Sequence, residues 1–169
     1  MDKNKIRDLL TELGRRLLAE DVLGEIGIVG GAAMLLAFDS RKATRDIDAI
    51  FKPSTTIRSC AKQMAFDYNL SDDWLNDGVK GFLPGNPKNR SEVLILPGIK
   101  VWVPEPEYLL AMKVISARVD TSDGDDIKFL INHLHLKNPA QVFEIVCGYY
   151  SENEIPAKAR FFIEELFEI

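Results

Sequence analysis

Two carboxylates one residue apart, Asp46 and Asp48, stand in the run Asp46-Ile47-Asp48-Ala49-Ile50-Phe51. The run alternates acid, apolar, acid and then turns wholly apolar, the pattern of a strand entering a core. Side chains on a strand alternate faces, so Asp46 and Asp48 are expected to point one way and Ile47 into the interior. Two such charges repel unless a cation sits between them. Their oxygens suit Mg²⁺ (or Mn²⁺), which completes its shell with waters and substrate phosphates. Upstream, the apolar run Ile26 to Val29 is followed by Gly30-Gly31 and then by the apolar stretch Ala32 to Phe38. A glycine pair at a strand end lets backbone amides approach an anion, helped by the N-terminus of the following helix. Phosphate cradle and metal dyad together point to nucleotide chemistry.

Each feature also has a purely structural reading. Two acids on a strand edge can pair with nearby cations, and a tight strand-to-helix turn needs glycine whether or not phosphate binds there. Arg41 and Arg45, in the basic loop between the two motifs, could meet a triphosphate. Arg45 precedes Asp46 and is expected to face away from both acids, so a structural partnership is the equal alternative.

The arrangement resembles the nucleotidyltransferase superfamily, whose signature is a Gly-Gly or Gly-Ser after the first strand and an Asp-x-Asp on the next. The subgroup it looks most like is the minimal, abortive-infection (AbiE) type, many of them toxins of toxin–antitoxin pairs. Gly30-Gly31, Thr44-Arg45-Asp46-Ile47-Asp48 and a later segment carry this likeness. In that segment a helix with Lys113-x-x-x-Ala117-Arg118 precedes Asp123-Gly124-Asp125-Asp126-Ile127, similar to the family's second half. The resemblance implies that Lys113 contacts the nucleotide phosphates and that Asp126 is a functional carboxylate supported by Asp123. Without it, Lys113 reads as a snorkelling surface lysine and the acids as helix caps. The superfamily's third acid, from a later strand, has no counterpart inside Val93–Val103. Either Glu92 or Asp126 supplies it, or the site is degraded and the protein is inactive.

The rest of the chain must position these groups. With 169 residues, 46% of them hydrophobic, it can bury a real core without disulfides. Cys60 and Cys147 are too few and isolated for a disulfide scaffold or zinc site. A net charge of −5 does not advertise a general nucleic-acid binder, although a local basic patch would suffice for RNA. No apolar run approaches the ~20 residues of a spanning helix, and the charged start lacks a signal-peptide core. A cytoplasmic protein without membrane contact is expected.

Ile6, Leu9, Leu10, Leu13 and Leu17 recur at helical spacing, predicting an amphipathic helix over residues 3–20. A strand over 46–51 leads to a helix over 55–69 capped by Ser54, and residues 71–77 read as a further cap and short helix. Residues 78–91 read as a functional loop whose Lys80, Lys88 and Arg90 reach the sheet edge near the dyad. Residues 92–103 form a hairpin around Pro97-Gly98. Helices then follow to Val119, from Asp126 to about Leu136, from Asn138-Pro139 to Tyr150 and from Pro156 onward, the last with Phe161, Phe162, Leu166 and Phe167 facing inward.

The expected fold class is α/β (α+β): a mixed sheet of three or four strands wrapped by helices, with a helical C-terminal half. Residues 1–104 would be the core and 105–169 a helical lobe, or the whole a single domain. The expected activity is metal-dependent transfer of a nucleoside monophosphate from an NTP to an acceptor hydroxyl. By resemblance the acceptor is RNA, such as a tRNA 3′ end, and the partner an antitoxin. An inactive binding module and an antibiotic-modifying transferase are the alternatives.

Overall fold

The computed structural model describes residues 1–116 and 122–168. The chain divides into two compact units, Met1–Gly81 with Arg90–Pro104, and Phe82–Asn89 with Glu105–Ile169.

The first unit is built on a five-stranded mixed sheet. Its strands are β1 (Gly24–Ile28), β2 (Ile47–Lys52), β3 (Leu75–Asn76), β4 (Arg90–Leu96) and β5 (Ile99–Pro104), and they lie in the order β3-β2-β1-β5-β4. β1 runs antiparallel to β2 and parallel to β5, β4 and β5 form the hairpin, and β3 adds a short parallel edge beside β2. Residues paired across strands share a face. Ile47, Ala49, Phe51, Ile26, Ile28, Ile99, Val101 and Val103 therefore form one buried face.

Helices α1 (Lys3–Ala19) and α3 (Ser54–Asp67) pack with this unit. Asp2 caps α1, accepting the Lys5 N–H at 2.8 Å, and Ile6, Leu9, Leu10, Leu13 and Leu17 are buried as their spacing predicts. Each fully buried side chain of this kind contributes roughly 1.5–3 kcal/mol. Close approach to the hairpin turn requires two glycines. A Cβ on Gly14 would lie 2.1 Å from the Pro97 carbonyl, and Gly98, at φ +77°, lies against the Gly14 carbonyl.

The second unit comprises α4 (Pro106–Ser116), α5 (Ser122–His133), α6 (Pro139–Cys147) and α7 (Ala157–Glu165). Tyr108, Leu110, Val114, Ile127, Leu130, Val142, Val146 and Ile163 form its core. Asn138 caps α6 with Pro139 in the first turn, the expected signal.

Several expectations change. The sheet has five strands because residues 71–77 turn and then pair as β3: Ile47 N–H donates to the Trp74 carbonyl at 2.8 Å, and backbone pairing outweighs the capping pattern. Residues 78–91 are not one loop. Gly78–Phe82 is a 3₁₀ turn, Arg90 opens β4, and the piece between is strapped to the helical unit. There the Glu105 carboxylate accepts the N–H groups of Lys88 and Asn89 at 2.9 and 3.0 Å, and the Tyr108 hydroxyl donates to the Gly85 carbonyl at 2.7 Å. Arg90 is thus on the far edge strand, remote from β2. α3 starts at Ser54 with Pro53 as its cap, and α6 ends at Cys147 rather than Tyr150. Phe161 is 66% exposed, because the helical period of α7 buries Ala159 and Ile163 instead. The expected extension of α4 to Val119, with Ala117 and Arg118, lies outside the described residues.

Candidate active site

The glycine pair opens α2 (Gly30–Phe38) directly at the end of β1. Gly30 has φ +63°, a left-handed conformation that disfavours any side chain. The space a side chain would need is already taken: a Cβ on Gly30 would lie 3.1 Å from Asp48 Oδ2. One on Gly31 would lie 2.9 Å from Thr44 Oγ1 and 3.0 Å from Arg41 Nη1. The first turn of α2 is therefore flanked by a carboxylate on one side and by a guanidinium and a hydroxyl on the other.

Backbone register fixes this geometry. Val29 N–H donates to the Asp48 carbonyl at 2.9 Å, tying the end of β1 to the start of β2. The Thr44 hydroxyl donates to the Asp46 carbonyl at 3.1 Å, and Thr44 N–H donates to the Met1 carbonyl at 2.8 Å. A Lys3–Asp39 ion pair at 2.7 Å fastens the other end of the loop carrying Arg41.

The dyad is less symmetrical than its spacing suggests. β2 begins at Ile47, so the alternation argument applies to Asp48, while Asp46 sits in the bend before the strand. Both are partly exposed. Arg45 is exposed in the same bend. Glu92 is not the third acid. It pairs with Trp102 on β4, three strands from β2 in the order β2-β1-β5-β4. At about 4.8 Å per strand that is roughly 14 Å of sheet. Among the described residues no group of three or more His, Cys, Asp or Glu side chains could hold a metal together. Two carboxylates fit Mg²⁺ nonetheless, since it is commonly bound by one or two carboxylates plus water and substrate phosphates.

One neighbour was missed in the sequence. Asn76 pairs with Asp48 across β3 and β2 and so lies on the same face. Its amide donates to the Asp73 carbonyl and accepts the Gly78 N–H, both at 3.3 Å. Reading 71–77 as a helix hid it, and a two-residue strand leaves no periodicity to detect.

Lys113 and Asp126 belong to the helical unit, where they form a buried ionic cluster. Lys113 Nζ lies 2.5 Å from Asp123 Oδ1 and 2.7 Å from Asp126 Oδ2. Lys113 is 6% exposed and Asp126 3%, so the surface-lysine alternative is overturned. α5 begins at Ser122, which places Asp123 in its first turn and Asp126 inside the helix instead of at its opening. Lys113, in the last turn of α4, and Asp123 both sit where helix dipoles favour their charges. Burying an ammonium is tolerable only with such partners, and the cluster joins α4 to α5.

Comparison with known proteins agrees with this construction at the level of family. Residues 4–155 match the family described as nucleotidyltransferase of unknown function (DUF6036). The chain belongs to that family. No curated protein matches it. A solved structure described as an antigenic nucleotidyltransferase-like protein from Paracoccidioides brasiliensis is similar at 19% identity, covering 78% of each chain, with a TM-score of 0.46. Among the described residues no helix is long and apolar enough to cross a membrane.

Proposed function

We propose that this protein is a metal-dependent nucleotidyltransferase that moves a nucleoside monophosphate from an NTP to an acceptor hydroxyl. The observation that carries the reading is the Asp48 carboxylate lying against Gly30 at the first turn of α2. A helix N-terminus attracts anions, and a phosphate could share it with a carboxylate only with positive charge between them. Asp46 and Asp48 would hold Mg²⁺ there, which would supply charge neutralisation on the phosphates and the leaving pyrophosphate.

The chain's own groups do the rest. Backbone N–H groups after Gly30 would receive phosphate oxygens, and the space beside Gly31 is taken by the Arg41 guanidinium and the Thr44 hydroxyl. Arg41, beside Gly31, adds a fixed positive charge, and Arg45 in the adjacent bend is a second candidate for the triphosphate. The resemblance of its segment implies Lys113 for the nucleotide phosphates. Within the helical unit its buried ammonium gives two of its three N–H donors to Asp123 and Asp126, which favours a stabilising role there. The AbiE-like Thr44–Asp48 and Lys113–Ile127 segments favour RNA as acceptor, with an antitoxin as partner and the cytoplasm as setting.

The competing reading is a binding module without catalysis. It is favoured by the face of β5 nearest the dyad, which carries Trp102 and Pro104 where a third acid would be sought.

Incubation with each α-labelled NTP, Mg²⁺ and total RNA tests both. Label transferred to RNA, lost in Asp46→Asn and Asp48→Asn, is the expected result. Metal-dependent NTP binding without transfer to any acceptor would leave the binding module. Label on a small molecule alone would replace RNA with an antibiotic-like acceptor.

A further inference from the structure

The sheet face that carries Asp48 also holds a second construction, none of whose residues the proposed chemistry uses. Register places Glu25, Gly27 and Trp102 on that face: Gly27 pairs with Ile50 of β2 and Trp102 of β5, and Glu25 pairs with Lys52 and Lys100. The Trp102 indole lies flat across Gly27, whose Cβ, if present, would lie 2.2 Å from the ring. The Arg90 guanidinium lies over the ring at 4.2 Å from its centroid. Glu25 fastens both, accepting the indole N–H at 2.8 Å and the Arg90 guanidinium at 3.2 Å.

The consequence is a guanidinium fixed against the indole while part of its side chain stays exposed. Trp102 is 6% exposed, whereas the Arg90 side chain retains 43% exposure. An arginine needed only for solubility would have no reason to be backed by a tryptophan that itself requires a glycine beneath it. Exposed Lys52 and Lys100 stand one row further along the same face, while the Glu25 charge is answered by Arg90. Trp102 lies two strands from β2, roughly 10 Å across the sheet. A guanidinium pinned on an indole is matched by a nucleobase, because unstacked bases stack on arginine planes as they do on aromatic rings.

We propose that Arg90, held on Trp102 by Glu25, is the stacking platform for a base of single-stranded acceptor RNA. This rests on the transferase reading for its ligand, but its test does not depend on transfer. A fluorescein-labelled RNA hexamer is titrated into the parent protein and followed by anisotropy and by tryptophan emission. The parent is expected to bind the hexamer with quenching of tryptophan emission. Arg90→Ala should weaken binding roughly tenfold or more, as one lost base stack implies. Arg90→Lys, which keeps the charge but not the plane, should recover only a minor part. Trp102→Phe, which keeps a ring but loses the hydrogen bond to Glu25, should fall between parent and Arg90→Ala. In the transfer assay Arg90→Ala should raise KM for RNA more than KM for NTP, a split that a merely structural arginine would not produce.

Failure of the hexamer to bind the parent overturns the proposal. So does Arg90→Lys equal to the parent, which would show a simple phosphate contact. Normal hexamer affinity in Arg90→Ala alongside active transfer removes the platform and leaves the transferase. Arg90-dependent hexamer binding without any transfer removes the transferase and leaves the platform.

Discussion

The two charged constellations of this chain solve opposite problems. At the start of α2, the Asp48 carboxylate, the Arg41 guanidinium and the Thr44 hydroxyl are gathered around two glycines, partly exposed and close to a helix N-terminus. In the helical unit, Lys113, Asp123 and Asp126 satisfy one another in a nearly dry interior at 2.5 and 2.7 Å. The first keeps charge accessible and so can exchange partners with a ligand. The second removes charge from water and depends on its partners for stability. Similar residue types thus carry different weights in binding and in folding, and burial makes the difference.

Substitution should separate the two. The largest stability loss is expected at the buried cluster. Lys113→Met leaves two carboxylates without their cation and should cost about 3–5 kcal/mol in urea unfolding. A loss under about 1 kcal/mol would show the cluster to be hydrated and the contrast false. Asp48→Asn should do the reverse, lowering transfer by about 100-fold or more, the scale seen when one electrostatic contact to a transition state is removed. Its melting temperature should stay within a few degrees of the parent, since a surface charge is worth only a fraction of a kcal/mol there. Full activity in Asp48→Asn would eliminate the dyad.

A smaller effect is expected at the turn. Gly30→Ala faces both a positive φ and the Asp48 oxygen 3.1 Å away, so a loss of about 1–2 kcal/mol is expected by thermal unfolding. Wild-type stability there would mean the turn relaxes freely. The smallest effect calibrates the others. Hydrogen bonds from Arg15, and then from Arg16, hold the Glu12 carboxyl at about 2, well below its usual 4.5. Its folded-state value is depressed, so its stabilisation is complete above about 4.5 and fades as pH falls toward 2. Glu12→Gln should therefore cost about 0.3–0.5 kcal/mol at pH 7. In paired urea titrations the difference should vanish near pH 2. A difference independent of pH would assign the effect to packing.

Much of the construction was legible because it depends on local periodicity. The stripe Ile6, Leu9, Leu10, Leu13, Leu17 specifies α1, Pro97-Gly98 specifies the hairpin, and Asn138-Pro139 specifies the start of α6. Gly30 is legible for the same reason: a strand that must turn at once into a helix needs a residue free to adopt positive φ. Within β2 the alternation holds, with Ile47, Ala49 and Phe51 buried and Asp48 opposite them. It stops short of Asp46 because one bend ends the strand, and a bend has no period.

Non-local pairing decided the rest. No sequence rule tells β3 to join β2, so Asn76 became a neighbour of Asp48 only through the sheet's edge. Strand order sent Glu92 to the far side, although it is near the dyad in the sequence motif's logic, and it brought Arg90, Trp102 and Glu25 into one stack from three strands. Phe161 looked like core by composition and is surface, because the helix's rotation about its axis is set by what it packs against. The residue types and the spacing within each element came from the sequence by itself, since propensity and periodicity act over a few residues. Which charges share a face and which are buried was decided by tertiary structure alone, since pairing register and burial arise between segments far apart in the chain.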